Sequence, residues 1–110
     1  IMACYNNLNE LLKNSDGKKS IELLSEANGC VAGCRAGVTY YQNTEYKKPG
    51  IHDDQEGFIV LKGSGMALIG DEEFAIEEGT AFIAPKGTPH TIKSNSNDEP
   101  VLVFWFHSAV

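Results

Sequence analysis

Apolar residues recur at two different spacings along this chain. Near the start, "NNLNELLKN" places Leu8, Leu11 and Leu12 on one face at helical spacing, with Asn7 positioned as a cap and Glu10 three residues later. The turn-rich "NSDGKKS" ends that pattern. Beyond it the period drops to two. The runs "SIELLSEA", "CRAGVTYYQ", "EGFIVLKG", "GMALIG", "EEFAIEE", "TAFIAP", "HTIKS" and "VLVFWFHS" each read as a short strand bounded by Gly, Pro, Asn or Asp. "IGDEE" predicts a tight hairpin around Gly70-Asp71, and "KSNSNDEP" reads as a polar loop. Many short strands with no helix between them predict an all-β sandwich or barrel, here preceded by one short helix.

At 110 residues the chain is long enough for one core and too short for two, so a single domain over residues 1–110 is expected. Ile1 ahead of Met2 reads as an added residue, with Met2 the native start. Fifteen acidic against nine basic residues give a net charge of −6, which argues against nucleic acid or an anionic membrane as partner. No apolar run approaches the eighteen or so residues of a membrane span, and no secretory pattern opens the chain. The cysteines, Cys4, Cys30 and Cys34, are odd in number, which fits free thiols in a reducing cytoplasm. Cys30 and Cys34 lack the second Cys/His pair that a zinc finger requires.

Candidate chemistry gathers in two segments. In "GIHDDQEGFIVLKGSG", His52 and Glu56 share parity with Phe58 and Val60, so an extended segment would put them on one face. An imidazole and a carboxylate converging at the end of a barrel suit a divalent metal. Asp54 has the same parity, but Asp53-Asp54 reads as a pair of solvated loop carboxylates. In "GTAFIAPKGTPHTIKS", turns at Gly79 and Gly87 bracket a strand, and His90 opens the next one with its direction set by the rigid turn before it.

These segments resemble the two motifs of the cupins. The second motif, G-x5-P-x-G-x2-H-x3-N, is matched by Gly79, Pro85, Gly87 and His90, with Ser94 in place of Asn. The first, G-x5-H-x-H-x3-4-E-x6-G, is matched by His52, Glu56 and Gly63, but Gly50 stands where the first histidine belongs and Thr44 where the first glycine belongs. The resemblance covers about residues 35–107. It implies a double-stranded β-helix, or jelly-roll, barrel holding a divalent ion on His52, Glu56 and His90, a set that leaves coordination positions open. Fe, Mn, Ni, Zn and Co all accept such ligands.

His107 is the remaining histidine and shares the parity of Val103 and Trp105, so it is either a fourth ligand, a supporting partner or acid/base, or a strand-end surface residue. Of the adjacent Tyr40 and Tyr41, one should face inward, either to pack or to orient a substrate or transfer a proton. Phe104 and Phe106, with Ile59 and Leu61, leave an apolar outer face that suggests a homodimer, common among the proteins this chain resembles. Three functions remain open. One is a metal-dependent enzyme on a small polar molecule, by oxygenase, isomerase or lyase chemistry. The second is a non-catalytic small-molecule-binding barrel. The third, disfavoured by the charge, is the detached sensor domain of a transcription regulator.

Overall fold

A computed structural model describes residues 3–14 and 17–108 of the chain. The expectation for Ile1 and Met2, and Ser15-Asp16 of the first connector, lie outside the described residues. Helix α1 runs over Leu8–Lys13, and the Asn7 side chain accepts from the Glu10 N–H as a cap should. Eight strands follow: β1 (Ser20–Leu24), β2 (Arg35–Tyr41), β3 (Gln55–Lys62), β4 (Ser64–Ile69), β5 (Glu72–Glu77), β6 (Ala81–Ala84), β7 (His90–Ser94) and β8 (Val101–Ser108). The run expected as "SIELLSEA" is shorter as a strand. Ser25 caps a 3-10 turn over Glu26–Asn28, its hydroxyl accepting from the Ala27 N–H, and this local bond ends the strand.

Two antiparallel sheets form the jelly-roll barrel, one ordered β1-β2-β8-β3-β6 and the other β5-β4-β7. Between them sit Phe58, Val60, Ala67, Ile76, Ala84, Ile92, Val101, Val103 and Trp105. Period two sorts the strands: Val101, Val103, Trp105 and His107 of β8 face inward, while Leu102, Phe104 and Phe106 face out. Gly37 on β2 pairs with Trp105, and a Cβ there would lie 2.6 Å from the Trp105 ring, so only glycine lets the indole lie against the strand.

The expected apolar outer face is partly covered by the chain itself. Leu8, Leu11 and Leu12 of α1 pack with Ile21, Val38, Leu102, Tyr40 and Phe104 into a second apolar cluster on that side. Turn chemistry elsewhere is as the residues demand. Gly70 takes φ +60° at the first central position of the two-residue β4–β5 hairpin, which a side chain would resist. Among the described residues no helix is long and apolar enough to cross a membrane.

Candidate functional site

Glu56 enters from β3, His90 from the start of β7 and His107 from the end of β8. Cross-strand register sets Glu56 between Ala84 of β6 and His107 of β8, and both polar side chains point into the barrel, 8% and 5% exposed. The β6–β7 turn aims His90. Thr88 N–H donates to the Pro85 carbonyl at 3.0 Å, and Gly87 takes φ +73° at the third turn position.

His52 arrives by another route. Strand β3 starts only at Gln55, so shared parity does not position His52. Instead Gly50 and His90 exchange both backbone hydrogen bonds at 2.9 Å, and Gly87 N–H donates to the His52 carbonyl at 2.9 Å. These bonds clamp the connection before β3 to the β6–β7 turn, and the His52 ring lies 5.1 Å from the His90 ring.

Glu56 is the hub. Its Oε1 is 3.5 Å from His52 Nε2 and 3.2 Å from His90 Nε2, and its Oε2 is 3.5 Å from His107 Nε2. One ligand atom each from His52, Glu56 and His90 lies within 4.8 Å of the other two. His107 stands just outside that set, its Nδ1 3.0 Å from Asp54 Oδ2. His90 Nδ1 lies 3.1 Å from the Thr88 carbonyl. Carbonyls and carboxylates only accept, so both imidazoles carry hydrogen on Nδ1 and turn Nε2 toward Glu56.

The electrostatics follow from this packing. The Glu56 carboxylate raises the His90 pKa above its ordinary value by hydrogen bonding; burial opposes the shift, while the Thr88 carbonyl and the charges of Glu56 and Asp54 add to it. Tyr41 is pushed up to about 12, first by burial and then by the Glu56 charge, against a Thr39 contact that lowers it. Tyr41 therefore remains a protonated donor at neutral pH. It packs against the main core, whereas Tyr40 packs into the outer cluster; both line the cavity.

The four site side chains open onto a cavity of about 440 Å³, walled by Thr39, Tyr41, Ile92 and Trp105. Trp105 is oriented by a 2.9 Å bond from Nε1 to Thr39 Oγ1. Gly50 borders the same space, where a Cβ would lie 3.6 Å from His90 Nε2 and 3.8 Å from His52 Nε2. Its bare backbone leaves both nitrogens open to the cavity. Two imidazoles and a carboxylate around one point are a fitting donor set for a divalent transition ion with free coordination positions. The pairing of Asp54 with His107 is absent from the sequence reading; only shared parity hinted that Asp54 turns toward the site.

Comparison with known proteins agrees with this architecture. No curated protein matches the chain. Among solved structures, the cupin domain of Schizosaccharomyces pombe Cnp3 superposes with a TM-score of 0.71 at 20% identity, covering 83% of this chain and 60% of that one. TT1209 from Thermus thermophilus gives 0.70 at 18% identity, covering 96% and 97%. Salicylate 1,2-dioxygenase from Pseudoaminobacter salicylatoxidans, in its adducts with gentisate, gives 0.67 at 16% identity; the match covers 90% of this chain but 29% of the dioxygenase. At these identities the likeness is one of fold. The family model for the cupin domain matches residues 37–107, and the chain belongs to the cupin family.

Proposed function

We propose that this cupin binds a divalent transition metal through His52, Glu56 and His90 and acts on a small polar molecule in the adjoining cavity. The supporting observation is the convergence of the three ligand atoms within 4.8 Å, with the His90 tautomer already set by Thr88. His107 is the fourth candidate ligand. Asp54 accepts from its Nδ1–H, so its Nε2 lone pair faces another acceptor, Glu56 Oε2, and a metal ion between the two would bind both. A bound ion would polarise an oxygen-bearing ligand or activate water or dioxygen. The chain's own groups then bind and orient: Tyr41 donates a hydrogen bond, and Trp105 and Ile92 exclude water. Fe, Mn, Ni, Zn and Co each suit this set.

The test is elemental analysis of protein purified without a metal-affinity column, beside His90→Ala. About one equivalent of metal in the native chain, lost in the folded variant, is expected for a single mononuclear site. Metal-free native protein after incubation with excess ions, or unchanged stoichiometry in the variant, refutes the assignment.

We propose also that a second copy of the chain covers the outer face of the five-stranded sheet that α1 leaves bare. Register places Phe106, Gly57 and Ile83 in one cross-strand row and Phe104, Ile59 and Ala81 in the next. Ile59, Leu61, Ile83 and Phe106 are 37–48% exposed there, a contiguous apolar patch of the kind that marks interfaces. The free thiols Cys4, Cys30 and Cys34 support a reducing, cytoplasmic setting.

A further inference from the structure

The cavity's charge is opposite to that of the chain. Among the described residues, four basic side chains, Lys19, Arg35, Lys47 and Lys48, border it, against one acidic side chain, Glu56. With Arg35 paired to Glu22 and Asp54 standing behind His107, a chain of net charge −6 still gathers three cations without an ion pair among the described residues, Lys19, Lys47 and Lys48, around one opening. Random scatter of an acidic surface would give the reverse sign.

The cations come from separate elements. Arg35 stands at the start of β2, 5.6 Å over the Trp105 ring and 3.8 Å from Glu22, so it is braced rather than free. Lys47 and Lys48 lie on the connection that Gly50 clamps to His90, and both are exposed. Neither has an acidic partner among the described residues. Two unneutralised ammonium groups on an anchored segment beside an apolar wall form an electrostatic entrance that raises the local concentration of anions.

We infer that the ligand of this cavity is a small organic anion, its carboxylate or phosphate group drawn to Lys47 and Lys48 and its carbon skeleton packed against Trp105 and Ile92. This rests on the cavity being the ligand site proposed above, and it names the substrate class that site would take. The two lysines are specificity determinants; they do not touch the metal-ligand cluster.

The sole tryptophan lines the cavity, so its fluorescence reports occupancy directly. The 110-residue chain, metal-loaded and metal-stripped, is titrated with benzoate, its neutral analogue benzamide, and phenyl phosphate. At the strength of exposed ion pairs, wild type should prefer benzoate over benzamide by about three- to tenfold at low salt, declining as salt is added. Lys47→Ala/Lys48→Ala should erase most of that preference with metal content unchanged. The control Lys13→Ala/Lys62→Ala, which removes the same charge away from the cavity, should keep it. Stronger binding of phenyl phosphate than benzoate supports the inference and identifies phosphate as the anion. Equal binding of benzoate and benzamide, an intact preference in the Lys47/Lys48 variant, or no quenching by either anion overturns it. Native protein that takes up no metal yet keeps the preference overturns the metal assignment alone; metal uptake without a preference overturns the anion inference alone.

Discussion

Asp54→Asn isolates the hydrogen bond that holds His107. His107 is almost wholly buried, with Nδ1 3.0 Å from Asp54 Oδ2 and Nε2 3.5 Å from Glu56 Oε2. The aspartate carboxylate accepts, so it fixes hydrogen on Nδ1 and directs the Nε2 lone pair toward Glu56 and the proposed metal site. Asparagine is nearly isosteric and leaves the barrel packing alone, but it loses the charge and permits its NH₂ to face the ring. Removing such an outer partner costs about 10- to 100-fold in metal affinity, or about 1.4–2.8 kcal/mol. The Asp54 side chain is 30% exposed and His107 only 5%, so water will partly replace the lost acceptor. The lower end, about tenfold, is therefore expected.

The assay is competition for Zn²⁺ against a chromophoric chelator at neutral pH, with Asp53→Asn as the control. Asp53 carries the same charge one residue away and lines the neighbouring groove, without a hydrogen bond to a histidine among the described residues. Asp54→Asn should weaken zinc binding about tenfold while Asp53→Asn changes it less than about twofold, as a screened surface charge would. Equal losses in both variants would mean that long-range charge, not the His107 bond, is responsible. Wild-type affinity in Asp54→Asn would remove His107 from the metal site altogether.

His90 supplies a pH test in the metal-stripped protein. Its folded pKa is raised above the ordinary value of 6.5, chiefly by the Glu56 bond, so its contribution to stability is complete below 6.5 and is lost as pH rises through the folded value. Thermal melts of the stripped chain should weaken across that window, and His90→Gln should flatten the decline; a parallel decline in the variant assigns it elsewhere. Phe106→Glu puts a charge in the middle of the bare outer face, over Gly57 and far from the cavity side of the sheet. Light scattering should show a dimer for wild type and a monomer for the variant, with zinc affinity within about twofold; a monomeric wild type refutes the interface.

Much of this fold is legible in local chemistry. Asn7 and the leucines after it specify α1, and alternation along "VLVFWFHS" sorts β8 into an inward row and an outward row. Gly70, Gly79 and Gly87 each take positive φ at a turn, which is why turn residues located the strand ends so closely. Alternation does not say what covers an outward row. Leu102 shares one apolar cluster with the leucines of the chain's own helix, residues some ninety positions apart that no local pattern joins. Glu56 was placed by strand parity for a sound reason. The same parity argument fails for His52, which precedes the strand and owes its position to backbone bonds from Gly50 and Gly87. The ion pair of His107 with Asp54 likewise joins a strand end to a loop across 53 residues.

Gly50 connects the two halves of the site. The resemblance to the family's first motif leads one to expect an imidazole there, and its absence removes a donor from the connection before β3. The structure sets His107 beside Glu56 instead, on a strand hydrogen-bonded to both neighbours in the sheet. Glu56, His90 and His107 thus all stand on strands, with only His52 on a connection. Ligand geometry in this arrangement depends mainly on sheet register, which shifts only in whole residues and at the cost of reversing every buried side chain. The connection supplies one candidate donor, His52. Its glycine keeps backbone contact with His90 while leaving the ligand nitrogens open, and the two residues two and three places earlier are the lysines at the cavity mouth. One short segment thus carries both the glycine that stands in place of a motif imidazole and the two lysines at the cavity mouth, so its backbone contact with His90 sets the position of both.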